Sequence, residues 1–386
     1  MTDPVRINLG AGPNPIDGYD NTWDASQGKD AMPLALPDNS VDELRASHIL
    51  EHFSHRGTQQ VLKEWVRVLK PGGLMRIAVP DLETIARMYL AGEPGMFQGW
   101  LSGGQVDPLD THLAQFDHTT LTSAMREAGL VGVHKWKGED DCSGLPISLN
   151  LAGYKRPERW PKVAAAMSTP RLGFMDTFGA IMGALGPLGI PIFRRTGAYW
   201  GQCLTRSIQA ALDTLPDFVL TIDYDSIFTL QDIEDLMIHA MQDGPVDALV
   251  PVQMNRVSNL VLMRPKGYPP HAIFRMELAE WDVSYYPISM GHFGCSLILA
   301  DGFTHMKKPW FHSRPGALND WGDDRTDDDV WFWERFAEAG LGAYLCPRVV
   351  IGHLENFIVW PDRQLNRIHQ HPTEYNANGK PSNVWR

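Results

Sequence analysis

The sequence contains only four cysteines, and their spacing matches neither a zinc site nor a disulfide framework. Cys142, Cys203, Cys295 and Cys346 are scattered along the chain without a CxxC or CxxH pair. Structural zinc sites and disulfide scaffolds repeat cysteine at short, characteristic spacings. Both classes are therefore excluded as the organising principle of this protein, and a reducing compartment, the cytoplasm, is the expected location.

Long hydrophobic runs are also missing. The longest uncharged apolar stretch, residues 178–193, is shorter than a membrane span and is interrupted by glycines and prolines. The N-terminal segment lacks the basic start and apolar run of a signal peptide. We therefore predict no membrane span, and we expect residues 178–193 to form buried core and turns.

Basic residues are in deficit. The chain has 34 Lys and Arg against 46 Asp and Glu, a formal net charge of −12, which disfavours tight binding to duplex nucleic acid. With 44% hydrophobic and 21% charged residues, the composition is that of an ordinary globular protein.

The length of 386 residues predicts two domains. The polar, proline-containing segment "YKRPERWPK" separates two apolar strand patterns, so we place the boundary between residues 157 and 158. On either side, strand and helix patterns alternate, which predicts α/β domains with parallel sheets. The predicted strands are 5–9, 74–79, 163–167 and 218–222, and the predicted helices are 54–69 and 200–212. The tail after residue 361 is expected to be loosely structured.

A glycine-containing loop follows the first predicted strand. The segment "INLGAGPNP" places Gly10 and Gly12 where a ligand could approach the bare backbone, although a tight turn would need the same residues. Asp24 follows a second short strand, at a distance suited to accepting hydrogen bonds from ribose hydroxyls.

Three segments, "NLGAGPNP", "LPDNSVDELRASHILEHF" and "VLKEWVRVLKPGGLMRIAVPD", together resemble the class I S-adenosylmethionine-dependent methyltransferases, over about residues 5–155. The resemblance implies a Rossmann-like sheet that binds S-adenosylmethionine. On the family pattern, the cofactor is bound by Gly10, Gly12, Asp24, His48, Leu50 and Glu51. Candidate general bases in "DTHLAQFDHTT" are His112 and His118.

Two carboxylates end a second apolar strand pattern. In "DFVLTIDYDSIF", Asp223 and Asp225 are one residue apart, and strand alternation would place both on one side of the strand end. Carboxylate oxygens are the ligands that Mg²⁺ and Mn²⁺ prefer. An acidic turn without a ligand is the alternative that this motif alone leaves open.

Further motifs follow in a characteristic order. "GHFGCS" comes first, then the acids of "TDDDVWFWERF" at a predicted helix start, where the helix dipole alone would favour them, and then a strand ending near His353. Together with the DxD turn this order resembles the GT-A glycosyltransferases, over about residues 163–361. The resemblance implies that Asp223, Asp225 and His353 bind Mn²⁺ or Mg²⁺, and that Asp328 or Asp329 faces the reacting sugar. It also implies a nucleotide-sugar site formed by Thr169, Arg171, Tyr199, Arg206, Gly291 and Gly294.

The sequence therefore predicts an α/β enzyme with a methyltransferase-like domain, 1–157, and a GT-A domain, 158–386. The expected function is methyl transfer and metal-dependent sugar transfer from a UDP- or GDP-sugar to a glycan or another hydroxyl-bearing acceptor. Two alternatives remain: the first domain only binds an acceptor or partner, or the acceptor is a DNA base, as in viral base modification. The sugar, the stereochemical outcome and the oligomeric state stay open.

Overall fold

The structure is a computed structural model. It describes residues 3–12, 15–106, 108–138, 141–242, 244, 246–255, 261–267, 285–317, 319–322, 325–361, 364, 366–379 and 381–384. Residues 13 and 14 of the predicted glycine loop lie outside these ranges. Within the described residues, the helices all lack the combination of length and hydropathy that a membrane crossing requires.

The first sheet has six strands in the order β2-β1-β3-β4-β6-β5. Its strands are β1 (Arg6–Leu9), β2 (Asp20–Trp23), β3 (Val41–Ser47), β4 (Leu69–Pro80), β5 (Leu130–Lys135) and β6 (Ser148–Lys155). Its helices are α1 (Thr58–Val68), α2 (Leu82–Leu90), α3 (Phe97–Ser102) and α4 (His118–Glu127). The strands β1 to β4 pair in parallel, whereas β6 is antiparallel to both of its neighbours. The sheet is thus Rossmann-like, as predicted, with one reversed strand.

The connection between α1 and β4 differs from the prediction. The helix buries Val61, Leu62 and Trp65 and ends at Val68, close to the predicted end. The strand then begins at Leu69, before the proline and glycines that were expected to precede it. A break in register, from Val41↔Leu69 to Glu43↔Leu74, accommodates the turn as a bulge within β4.

The second large sheet has eight strands in the order β12-β13-β15-β11-β14-β9-β7-β8. Its strands are β7 (Val163–Thr169), β8 (Ile192–Thr196), β9 (Phe218–Ile222), β11 (Ala248–Val252), β12 (Arg264–Pro265), β13 (Tyr286–Met290), β14 (Cys295–Leu299) and β15 (Ala343–Val350). Two small sheets pair β10 (Ser226–Ile227) with β16 (Gly352–His353) and β17 (Ile358–Pro361) with β18 (Arg367–Gln370). Helices α5 (Met175–Leu185), α6 (Trp200–Leu212), α7 (Leu230–Gln242), α8 (Gly302–His305), α9 (Asp328–Glu338) and α10 (Pro372–Asn378) complete this part of the chain. Separate hydrophobic cores contain alternate residues of β7, as expected for a sheet covered on both faces.

Two expectations about the second half are wrong. The tail after residue 361 is ordered as β18 and α10, because β18 pairs with β17. The apolar stretch 178–193 is only partly buried, because α5 packs Ile181 and Leu185 inward while Phe178 and Met182 are about half exposed. An amphipathic face of this kind follows from the helical period.

Helix α7 packs against the first sheet as well as its own. Ile238 is buried with Val131 and Tyr154. Asp235 accepts hydrogen bonds from Arg126 at 3.0 Å and from the Gly132 amide at 2.6 Å. Buried ion pairs cost stability when one partner is removed, so α7 ties the two sheets together energetically.

The predicted boundary between residues 157 and 158 lies between β6 and β7, and independent folding of the two parts stays a prediction. We expect fragments 1–157 and 159–386 each to unfold cooperatively, because each contains its own core. The second fragment should melt below its transition in the intact chain, since it loses the partners of Asp235 and Ile238. Calorimetry of both fragments tests this, and two insoluble fragments would contradict it.

Candidate functional site

The glycine loop after β1 is fastened to the end of β2. Leu9 pairs with Trp23, and the Gly10 amide donates to the Trp23 carbonyl at 2.8 Å. The Gly12 amide donates to Asp24 Oδ2 at 3.0 Å. The carboxyl ends of the two parallel strands therefore bring Gly10, Gly12 and Asp24 together, as the sequence predicts.

Position 10 requires glycine for two reasons, its backbone conformation and the lack of space for a side chain. Its φ is +59°, and a Cβ at this position would lie 2.0 Å from Ile49 Cδ1. Gly12 has a φ of +53° but open space around it, so only its backbone conformation favours glycine. The loop thus passes directly over the segment that follows β3.

Asp24 has a structural task that the sequence did not reveal. Its Oδ1 accepts from the Ser26 amide at 2.8 Å, which caps a short 3-10 helix. Hydrogen bonds from the Ser26 hydroxyl, and then from the Ser26 and Gly12 amides, lower the pKa of Asp24 despite an opposing effect of burial. The carboxylate is thereby held ionised at the mouth of the loop, while ribose binding stays a prediction.

The segment after β3 carries the other three predicted cofactor residues. His48 adopts a φ of +54°, with Nε2 3.0 Å from Ser148 Oγ and Nδ1 3.2 Å from Glu51 Oε1. Leu50 is wholly buried in the core, which leaves only its backbone to face a ligand, and Glu51 is 1% exposed. His118, one of the candidate bases, is exposed in the first turn of α4.

The DxD motif lies at the end of β9, a central strand of the second sheet. The strand ends at Ile222, and Asp223 to Asp225 form a turn that the Ser226 amide closes onto the Asp223 carbonyl at 3.3 Å. We predicted that strand alternation places Asp223 and Asp225 on the same side of the strand end. That reason is wrong, because both residues lie in the turn after the strand, and the turn brings their side chains together.

His353 reaches this turn through tertiary structure. Antiparallel pairing of β10 with β16 sets Ser226 opposite His353, and the Leu354 amide donates to the Asp225 carbonyl at 2.7 Å. His353 Nδ1 lies 2.9 Å from the Met254 carbonyl, which can only accept, so Nδ1 is the donor. Nε2 is 3.5 Å from Asp225 Oδ2, and a lone pair there suits metal binding.

Burial, followed by repulsion from Asp225, raises the pKa of Asp223 to about 7. The indole of Trp200 opposes this shift by donating from Nε1 to Asp223 Oδ1 at 3.3 Å, and a nearby Asp329 adds to it. Two carboxylates that resist joint ionisation are the electrostatic condition that a bound cation relieves. The residues present therefore fit a divalent metal ion.

The raised pKa of Asp223 has a measurable consequence for stability. Without metal, the folded protein keeps this proton from the ordinary pKa of 3.8 up to about 7, whereas the unfolded chain releases it. Stability from this group therefore falls as the pH rises through that window. In EDTA, we expect the melting temperature of Asp223→Asn to rise relative to wild type between about pH 4 and 7. Parallel pH profiles of the two proteins would show that Asp223 titrates normally.

The acidic start of α9 completes the site. Asp328 Oδ1 accepts from Ser313 Oγ at 2.6 Å, which fixes its orientation. Burial, and to a lesser extent Asp327 and Asp328, raises the pKa of Asp329. Asp329 also acts electrostatically on Asp223, so it is the acid of this pair that is coupled to the DxD turn.

These groups line one cavity of about 1010 Å³. Its walls combine the acids with aromatic, amide and imidazole side chains, including Phe174, Trp200, Asp223, Tyr224, Asp225, Gln253, Phe293, Ser313, Asp328, Asp329, His353, Glu355 and His371. The volume is in the range that ligand-sized pockets occupy. Asp223, Asp225, His353, Asp328 and Asp329, all proposed from sequence, thus meet at one site.

The predicted nucleotide-sugar residues are divided. Gly291 lines the cavity, but a Cβ there would lie 2.7 Å from Val250, and one at Gly294 would lie 2.5 Å from Gln253 Oε1. Internal packing therefore accounts for both glycines. Gly294 and the remaining four lie outside the cavity lining: Thr169 bonds to Thr196, and Arg171, Tyr199 and Arg206 are exposed.

Sequence reasoning missed the contribution of the C-terminal tail. The β17–β18 hairpin returns the chain so that His371, at the start of α10, pairs with Glu355 at the cavity wall.

A second pair at the cavity wall is aromatic: the ring of Phe174 stacks on that of Tyr224, with centroids 6.1 Å apart and an interplanar angle of 2°. No sequence motif announces these partners, because each pair joins segments that only the fold brings together.

Comparison with known proteins supports the first domain. A family model described as "Methyltransferase domain" matches residues 20–77. No curated protein matches the chain. The match supports an S-adenosylmethionine-dependent methyltransferase domain in the N-terminal part of this α/β protein.

Several solved structures are similar to part of the chain. The A197 protein from STIV is 13% identical, with 54% of this chain and 94% of that protein covered and a TM-score of 0.36. A possible histamine N-methyltransferase from Thermotoga maritima is 19% identical, with 40% and 84% covered and a TM-score of 0.28. GalNAc-T7, solved with UDP, GalNAc and Mn²⁺, is 11% identical, with 52% of this chain and 45% of that protein covered and a TM-score of 0.35. All three TM-scores are below 0.5, so only the family match bears on function.

Proposed function

We propose that the chain is a bifunctional transferase, with S-adenosylmethionine-dependent methyl transfer in residues 1–157 and metal-dependent sugar transfer from a nucleotide sugar in residues 158–386. The observation that carries the second activity is the meeting of Asp223, Asp225 and His353 with Asp329 in one cavity. The matched methyltransferase domain carries the first.

In sugar transfer, Asp223, Asp225 and His353 would hold Mn²⁺ or Mg²⁺. When bound, the ion stabilises the negative charge that develops on the departing nucleoside diphosphate. Trp200 orients Asp223 through its indole N–H, and Ser313 orients Asp328. Asp329 is the carboxylate that we assign to the reacting sugar, because it lines the cavity and acts electrostatically on Asp223.

In methyl transfer, Gly10, Gly12 and Asp24 would hold S-adenosylmethionine, whose sulfonium supplies an activated methyl group. The close fit between the glycine loop and Ile49 fixes the path of the loop. The protein's remaining task is to align the acceptor for in-line attack. A glycan or other hydroxyl-bearing compound could serve both sites, and covalent linkage of the domains would raise the effective concentration of a shared acceptor.

The decisive experiment is a donor screen that measures nucleotide release from UDP- and GDP-sugars with Mn²⁺, with and without EDTA. We expect the sugar donors of one nucleotide class to be hydrolysed slowly by water even without the acceptor, and EDTA to stop the nucleotide release. Metal-dependent sugar transfer would be contradicted if EDTA left nucleotide release unchanged, or if no donor released its nucleotide.

Calorimetric titration with S-adenosylmethionine tests the first domain separately. Saturable heat is expected, whereas its absence would reduce this domain to a module that recruits an acceptor or partner.

Salt sensitivity distinguishes the acceptor class, because binding to duplex DNA weakens steeply with salt and binding to a neutral glycan does not.

A further inference from the structure

A cluster of two histidines and one glutamate lies in the first domain, far in sequence from the DxD turn. Glu51 and His52 belong to a 3-10 helix that follows β3, and His112 comes from the segment before α4. One potential ligand atom from each of the three residues lies within 4.8 Å of the other two. Within the described part of the chain, no other group of three histidine, cysteine or acidic residues brings its ligand atoms this close together.

The backbone holds the two segments in this arrangement. The amides of Leu113 and Ala114 donate to the Glu51 carbonyl at 2.7 and 3.1 Å. The rings of His52 and His112 meet edge to face, with centroids 5.0 Å apart. The cluster is thus a built feature of the fold rather than a chance meeting of surface side chains.

The carboxylate of Glu51 is buried without a hydrogen-bond donor. It is 1% exposed, and neither of its carboxylate oxygens accepts a hydrogen bond from any residue that the structure describes. His48 Nδ1 is 3.2 Å from Oε1 without hydrogen-bond geometry. A buried carboxylate without donors is costly, and a coordinated cation is one of the few partners that would offset this cost.

The orientation of both imidazoles also favours a metal ion. His52 Nδ1 lies 3.3 Å from the Thr111 carbonyl and His112 Nδ1 lies 3.0 Å from the Trp100 carbonyl. A carbonyl only accepts, so each Nδ1 carries the proton and each Nε2 carries the lone pair. Metal-bound histidines are held in this way by backbone carbonyls.

We infer that Glu51, His52 and His112 form a binding site for a divalent transition-metal ion of the Zn²⁺ class. Two imidazoles and one carboxylate are a ligand set that such ions prefer, and three protein ligands leave a coordination position open. Ligand atoms around one tetrahedral Zn²⁺ lie about 3.3 Å apart, and the candidate ligand atoms here all lie within 4.8 Å of one another. The site adjoins the glycine loop, because Ile49 contacts Gly10. Glu51 and His112 are also a predicted cofactor residue and a candidate base, so the test below measures metal binding itself and relies on neither proposed transferase activity.

The test measures Zn²⁺ binding to the full-length, tag-free chain. Asp223→Asn/Asp225→Asn serves as the background, so that the DxD turn does not contribute carboxylate ligands. In this background, calorimetry and metal analysis after gel filtration should give one Zn²⁺ per chain. Adding Glu51→Gln or His112→Gln should weaken binding by more than about 100-fold. His55→Gln, which alters an exposed histidine three residues from His52, should bind as the background does.

A second readout guards against misfolded variants. Zn²⁺ should raise the melting temperature of the background and of His55→Gln, and it should leave that of Glu51→Gln unchanged, because a ligand stabilises only the folded state that binds it. Co²⁺ should give visible absorption that Glu51→Gln abolishes. No Zn²⁺ uptake by the folded background, or equal uptake by the Glu51→Gln and His55→Gln variants, would overturn the site.

Discussion

We expect Asp225→Asn to abolish sugar transfer and metal-dependent nucleotide binding together, while methyl transfer continues. The substitution nearly preserves volume and removes the charge that Mg²⁺ or Mn²⁺ requires. Asp225 is 3% exposed and lies 3.5 Å from His353, so the substitution removes a buried charge at the proposed metal site. Nucleotide release with Mn²⁺ and binding of the free nucleoside diphosphate are the two measurements.

Two companion variants make this result specific. Asp213→Asn removes an exposed carboxylate that precedes β9, at the opposite end of that strand, and should leave both measurements unchanged. Asp329→Asn should retain nucleotide binding while slowing sugar transfer, and Asp328→Asn should have the smaller effect because Ser313 already engages its carboxylate. Full sugar transfer by Asp225→Asn would return the DxD turn to an acidic turn without a ligand.

Asp24→Ala should weaken S-adenosylmethionine binding by about 1.5–3 kcal/mol, or roughly 10- to 150-fold in Kd. The proposed charged acceptor of ribose hydrogen bonds is lost, and so is the hydrogen bond that ties the Gly12 amide of the glycine loop to the Asp24 carboxylate. Both losses act on the same pocket, because the loop and the carboxylate end adjacent parallel strands. Calorimetric titration of the full chain measures the effect.

The matched control is Asp20→Ala, on the same strand. The Asp20 carboxylate accepts hydrogen bonds from Thr22, away from the glycine loop, so cofactor affinity should stay at the wild-type value. Asp24→Asn should fall between wild type and Asp24→Ala, since the amide retains one oxygen acceptor. Unchanged affinity in a folded Asp24→Ala variant would place the ribose elsewhere.

The two sites share a scaffold whose interface is polar as well as apolar. Asp235 and Glu234 of α7 pair with Arg126 and Arg156 of the first sheet's part of the chain, and Ile238 is buried with Val131 and Tyr154. Charged pairs at such an interface fix orientation and cost stability when broken. These contacts of α7, the helix that follows the DxD turn, therefore contribute to the relative position of the two proposed sites.

Local pattern determined much of this protein from sequence alone. The helix at Trp200–Leu212 and the strand at Phe218–Ile222 have the predicted bounds, because apolar periodicity and the flanking polar residues are local signals. The sequence also indicated the glycines after β1 and the acids after β9, because each set directly follows a strand pattern. Parallel strands bring such residues to one edge of a sheet. The methyltransferase-type domain is supported on this basis by the family match.

Tertiary structure decided which distant residues complete each site. His353 meets Asp225 only because β16 pairs with β10, and His371 reaches the cavity only through the β17–β18 hairpin. His112 joins Glu51 and His52 because the Leu113 and Ala114 amides bond to the Glu51 carbonyl. Conversely, burial removes the Leu50 side chain from a ligand role that its position in the motif implied. Such outcomes depend on long-range pairing and burial, which are properties of the whole fold, whereas a motif reports only what neighbouring residues have in common.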